Sequence, residues 1–219
     1  MFHLHGPALR GGALALLAAV LFGVSTPLVQ HLGAGLGAFS TAALLYAGAA
    51  GMGAVLRKPV QQEARLRRAD TSRLLAMAGL GAVVGPVALA WGLQRTSGSS
   101  ASLMLTLEAL FTALLAWRLY HETMDRRVWA AMLLLLAGGV ALVVDQGRLG
   151  GVELAGLLAV LLATMAWGAD NTLSRALAER DPAQVVLVKA ALGASATAVL
   201  AWGLGEPMPT AAAAWGLVA

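Results

Sequence analysis

Residues 154–174, LAGLLAVLLATMAWGADNTLS, decide the fold. They form one mostly apolar run of about 20 residues, the length a helix needs to cross a bilayer. Asp170 and Asn171 interrupt the run before it ends. An ionisable group at that depth is costly in hydrocarbon, and it is retained where it is paired or put to use.

Working outward, similar runs lie at 11–31, 36–56, 74–94, 99–119, 127–144 and 183–204. A further stretch starts near Thr210 and is too short, by Ala219, to cross. The composition agrees. The chain of 219 residues is 59% apolar and only 12% charged, with a mean hydropathy of +0.77. Globular proteins run at roughly 45–50% and about 25%. One soluble core cannot hide that much apolar surface, whereas lipid tolerates it. The expectation is an all-α membrane protein, a polytopic helix bundle.

The net charge of +4 does not point to nucleic acid, because the basic residues lie between the apolar runs. With the N-terminus in the cytoplasm, the inner side receives Arg10, then Arg57, Lys58, Arg65, Arg67, Arg68 and Arg73, then Arg118, Arg126 and Arg127, and finally Arg175 and Arg180. The outer side receives only Arg95 and Arg148. That asymmetry sets the orientation. Arg10 before the first run resembles a signal peptide, but the place of that run in a repeat makes it a retained helix. The basic 57–73 loop is expected on anionic headgroups.

The chain has no cysteine, which excludes disulfides and thiolate metal sites. Its four histidines, His3, His5, His31 and His121, are scattered without carboxylates at ligand spacing. No nucleotide-binding loop is present. No cofactor or metal is expected, and an intramembrane enzyme has no nucleophile–base pair to support it.

A shift of 145 residues lays the first run on the sixth. Leu16-Leu17-Ala18 meets Leu161-Leu162-Ala163, Phe22-Gly23 meets Trp167-Gly168, Leu32 meets Leu177, and Gly48 meets Gly193. The polar interruptions also coincide: Ser25-Thr26 with Asp170-Asn171, and Gln30 with Arg175. Five runs separate the copies, and an odd number inverts the second. The expected architecture is an inverted 5+5 transmembrane-helix repeat, with residues 1–149 as the first repeat and 150–219 as the start of the second. Two copies need about 290 residues, so a truncated second repeat is expected, and with it a fragment of a ten-helix protein.

The chain resembles the EamA-like branch of the drug/metabolite transporter superfamily. Leu107-Glu108-Ala109-Leu110-Phe111-Thr112-Ala113-Leu114-Leu115-Ala116-Trp117 with His121-Glu122 carries the resemblance. Asp125-Arg126-Arg127 before Gly138-Gly139, and Trp167-Gly168-Ala169-Asp170-Asn171-Thr172-Leu173-Ser174-Arg175 with Asp181-Pro182 and Lys189, add to it. The resemblance implies ten helices in two inverted halves and export or exchange of amino acids and other small metabolites. It also implies a bacterial inner membrane.

Three ionisable groups fall inside runs: Glu108, Asp170 and Lys189. Asp170 and Lys189 are nearly equidistant from a turn centred on Arg180-Asp181, so an antiparallel helix pair brings them to about one depth. A buried ion pair fixing the hairpin and a charged wall of the substrate path are both open readings. Glu108 has no base nearby in the sequence. An unpaired carboxyl in apolar surroundings favours its neutral form, which suits a proton carrier or a hydrogen-bonded structural group. Pro27 and Pro86 cannot donate to the carbonyls of Gly23 and Ala82. A freed carbonyl must face protein or a wet cavity, so Ser25, Thr26 and Pro27 are expected to face a cavity, and Pro86 to mark a helix break. Trp167 is a candidate for stacking on cargo or for core packing.

The functional expectation is a secondary transporter working by alternating access, with a small-molecule substrate and the lipid bilayer as partners and no nucleic acid. A homodimer stays open, as does the alternative of a non-transporting membrane scaffold or assembly subunit.

Overall fold

The computed structural model describes residues 6–55, 64–207 and 209–218. Arg57 and Lys58 of the basic loop, and His3 and His5, lie outside the described residues. Among those described, seven helices are long and apolar enough to cross a membrane. They are α1 (Gly6–Leu32), α2 (Ala38–Val55), α3 (Arg68–Leu93), α4 (Gly98–Tyr120), α5 (Arg126–Leu149), α6 (Gly151–Leu177) and α7 (Pro182–Gly203). A short α8 (Ala211–Val218) follows.

The helix ends follow local chemistry. Ser97, Asp125 and Asp181 accept from the backbone N–H three residues on, at 3.1, 2.8 and 2.7 Å, starting α4, α5 and α7. Pro182 adds a pre-set φ at the first turn of α7. Between α5 and α6 the chain turns at Gly150, whose φ of 143° only glycine adopts readily.

Helices α3 and α6 form the centre of the bundle. Helix α6 packs against α3, α4 and α5, and α2 packs along α7, which also meets α3. Just over half of the α3 span (56%) is buried, against 12% of α1 and 11% of α5, so these last two are the outer helices. Met104, Leu157, Val160 and Ala163 lock α4 to α6 at the core. Leu16, Leu17, Leu133, Leu134 and Val199 are exposed. A belt of that kind suits acyl chains, not water. The molecule is an all-α, multi-pass membrane protein.

Helix α3 is not regular. It starts as a 3₁₀ turn (Arg68–Asp70), continues as α-helix, widens to a π-helix over Ala78–Val84, and resumes as α-helix at Gly85. In the π register the Gly85 N–H donates to the Leu80 carbonyl, five residues back. The next donor in that register is Pro86, which has no N–H. The freed carbonyl is therefore that of Gly81, one residue earlier than an α-helical register places it. Helix α4 also breaks, at Thr106, where the hydroxyl donates to the Leu103 carbonyl at 2.7 Å.

Candidate functional site

Three ionisable groups inside the spans, Glu108, Asp170 and Lys189, gather around the second half of α6. Lys189 of α7 donates to Asp170 Oδ2 at 2.5 Å, and the two side chains are 19% and 5% exposed. The turn between α6 and α7 sets this pairing, because it brings positions equidistant from it to one depth. Lys189 satisfies one carboxylate oxygen. Asp170 Oδ1 is buried and accepts nothing from the described residues. A buried polar oxygen without a donor is expensive to keep dry.

Helix α3 comes unusually close here. A Cβ at position 81 would overlap the Asp170 carboxylate, and one at Gly85 would strike the Trp167 indole. The Gly81 carbonyl released by Pro86 receives two side-chain donors: Trp167 Nε1 at 3.0 Å and the Tyr46 hydroxyl in a short contact from α2. One orphaned backbone acceptor thus ties α2, α3 and α6 together.

The next residue of α6 makes a separate link. Asn171 Nδ2 donates to Glu108 Oε1 of α4 at 2.6 Å. Neighbours on a helix point about 100° apart, so Asp170 faces α3 and α7 while Asn171 faces α4. Glu108 is half-buried. Its carboxyl is therefore anchored by an amide and not by a base.

The residues of α1 are arranged differently. Ser25 and the buried Thr26 both donate to the Phe22 carbonyl, at 2.8 and 3.3 Å, and Pro27 lies on an exposed face of an unbroken helix. None of the three touches the Asp170 group. Their helix reaches it through Phe22, whose ring meets Trp167 edge-on at 6.1 Å between centroids. Pro86 is buried beside the cluster.

A cleft of ≈ 440 Å³ runs from the α6–α7 turn to the ion pair, lined by Met77, Asp170, Asn171, Arg175, Arg180 and Lys189 among others. That is the size of an ordinary small-molecule site. Its polar lining combines the Lys189 ammonium and the two arginines with the Asp170 carboxylate. Such a lining can orient a molecule carrying both an acceptor and a donor. At the mouth, Arg175 pairs with Glu122 and lies over the Tyr120 ring, 4.7 Å from its centroid.

Sequence reasoning missed Tyr46 and the Gly81 carbonyl as an acceptor. Pro86 carried the signal, since a missing N–H implies a freed carbonyl; only the register was wrong. Nothing in the sequence singled out Tyr46, and Asp70 was likewise passed over.

The EamA-like transporter family matches residues 9–144. A similar protein, named an uncharacterized transporter, comes from Methanothermobacter thermautotrophicus (strain ATCC 29096 / DSM 1053 / JCM 10044 / NBRC 100330 / Delta H). It is 32% identical over 137 residues, 61% of this chain and 40% of the relative, so the chain spans less than half of that protein. A solved crystal structure has a similar fold, with a TM-score of 0.60 and 20% identity over 92% of this chain and 73% of that one.

Proposed function

This chain belongs to the EamA-like transporter family, and from that premise we propose that it is a secondary transporter exporting a small polar metabolite, such as an amino acid, by alternating access. The observation that carries the reading is Asp170: a buried carboxylate inside a spanning helix, half satisfied by Lys189, in the wall of a cleft large enough for a metabolite. A purely structural pair has no use for the open oxygen or for the cleft. Glu108, hydrogen-bonded to Asn171, is the candidate proton-coupling group. The membrane is a bacterial inner membrane with the N-terminus in the cytoplasm, which puts the mouth of the cleft on the cytoplasmic side.

Alternating access needs two halves, taken as residues 1–149 and 150–219, in inverted orientation. The contact pattern supports this division. If α1, α2 and α3 correspond to α6, α7 and α8, the α1–α8 contact maps onto α6–α3, and α2–α8 onto α7–α3; all four occur. The α2–α7 contact maps onto itself. So does the Phe22–Trp167 ring pair, whose members align at the 145-residue shift. Equivalent residues touch each other only on a two-fold axis.

The test is counterflow in proteoliposomes holding the purified protein, preloaded with a mixture of unlabelled amino acids and supplied with each one radiolabelled outside. Transient accumulation of at least one is expected. No accumulation of any, from protein shown to be inserted, would transfer the case to the scaffold reading.

A further inference from the structure

The cleft that reaches Asp170 and Lys189 is bordered at the α6–α7 turn by a second, separate set of polar bonds through Arg180. Residues 64–70, which lead into α3, lie across the α6–α7 turn. Arg180 Nε donates to Asp70 Oδ2 at 2.8 Å, and its Nη2 lies 3.5 Å from Oδ1. The backbone N–H of Arg67 adds a 2.8 Å bond to the same Oδ2. The Asp181 N–H donates to the Ala64 carbonyl at 2.8 Å, and the Leu66 N–H to Gln184 Oε1 at 2.9 Å. Arg180 is both the anchor of this strap and a wall of the cleft. Beneath it, Met77 lines the cleft and is 1% exposed, packed with Leu74, Leu177 and Val185.

We propose that the 64–70 strap is the gate of the cleft, latched by Asp70 to Arg180, and that its release opens the path from the α6–α7 turn to Asp170. The physical reason lies in the kind of bonds used. The strap is held mainly by a few hydrogen bonds to one turn and one charge pair, with little apolar burial of its own beyond Leu66. Segments held in that way open locally at a small fraction of the cost of unfolding the bundle. The cluster beneath, Leu74, Met77, Leu177 and Val185, is by contrast apolar and buried. The latch serves the proposed transport reading, since it regulates access to the same ion pair.

The chain has no native cysteine, so single cysteines report on opening directly. The reporter is Met77→Cys, treated with a charged maleimide in detergent. With the latch intact, labelling is slow. Arg180→Gln is expected to speed it about tenfold, the scale of losing one charge-assisted hydrogen bond. Exchanging the partners, Asp70→Arg with Arg180→Asp, is expected to return it toward the slow rate. Thr197→Cys, fully buried near the far end of α7, should label equally slowly in every background. Unchanged Met77→Cys labelling in Arg180→Gln would overturn the gate. So would faster labelling at Thr197→Cys, which would make the strap a brace for the whole bundle. Labelling needs no cargo, so failure of the gate is distinguishable from failure of the transport reading.

Discussion

Two of the carboxylate–base pairs among the described residues, one at the α6–α7 turn and one between those two helices, are built to opposite plans. At the α6–α7 turn, Asp70 is saturated: Arg180 reaches both of its oxygens and the Arg67 N–H adds a third bond. Deeper in the bundle, Asp170 is bonded to Lys189 through one oxygen only and leaves the other buried without a protein donor. The bases differ in the same sense. Arginine offers a rigid fork that fixes geometry, whereas lysine is a mobile point charge that can swing between partners. The saturated pair holds a loop in place. The unsaturated one leaves a carboxylate oxygen without a protein donor beside a cleft.

The largest effect is expected where the unsaturated pair is broken. Lys189→Met leaves Asp170 uncompensated in the bundle and should cost roughly 3–5 kcal/mol of stability, read as a lower unfolding temperature in detergent. Adding Asp170→Asn should restore most of that loss, because no buried charge is then left alone. Recovery of yield without recovery of transport would separate the structural part of the pair from its use.

A smaller loss is expected around the Gly81 carbonyl. Trp167→Phe and Tyr46→Phe each remove one of its two donors and should cost about 1 kcal/mol, with the double change costing more than the sum. That excess would show that the π-helix depends on both. Simple additivity in a thermal-shift cycle would contradict a shared acceptor.

The smallest effect on stability belongs to Glu108→Gln. Glutamine keeps an acceptor for Asn171, so the change should stay within about 0.5 kcal/mol. Its effect on pH should be large instead: a proton carrier replaced by an amide loses the pH dependence of exchange. An unchanged pH profile would remove Glu108 from coupling and leave it a helix-to-helix link.

Much of this architecture was legible in the sequence. Apolar run lengths located the seven long helices among the described residues to within six residues at each end, because a bilayer imposes one length on every spanning helix. The Asp170–Lys189 pair followed from counting back from the turn at Arg180-Asp181, since an antiparallel pair leaves no other partner at that depth. What escaped was whatever depends on rotation about a helix axis. The apolar faces of these helices surround them entirely, so periodicity does not tell which side of α4 meets α6, and the Glu108–Asn171 bond stayed hidden. The α1 residues show the same limit. Ser25 and Thr26 were read as cavity-facing, yet both hydroxyls turn back onto the Phe22 carbonyl. At Pro86 the missing donor was foreseen, but the choice between a four- and a five-residue register is made by packing against Trp167 and Tyr46.

The central claim is that the pair on α6 and α7 belongs to the substrate path and that the pair at the turn controls access to it. Amino-acid counterflow in proteoliposomes, comparing the Asp170→Asn/Lys189→Met double variant with the unaltered protein at matched insertion, tests this most directly. The account expects a stably inserted double variant with no exchange. Exchange at the unaltered rate would contradict it and reduce Asp170 and Lys189 to a structural clasp.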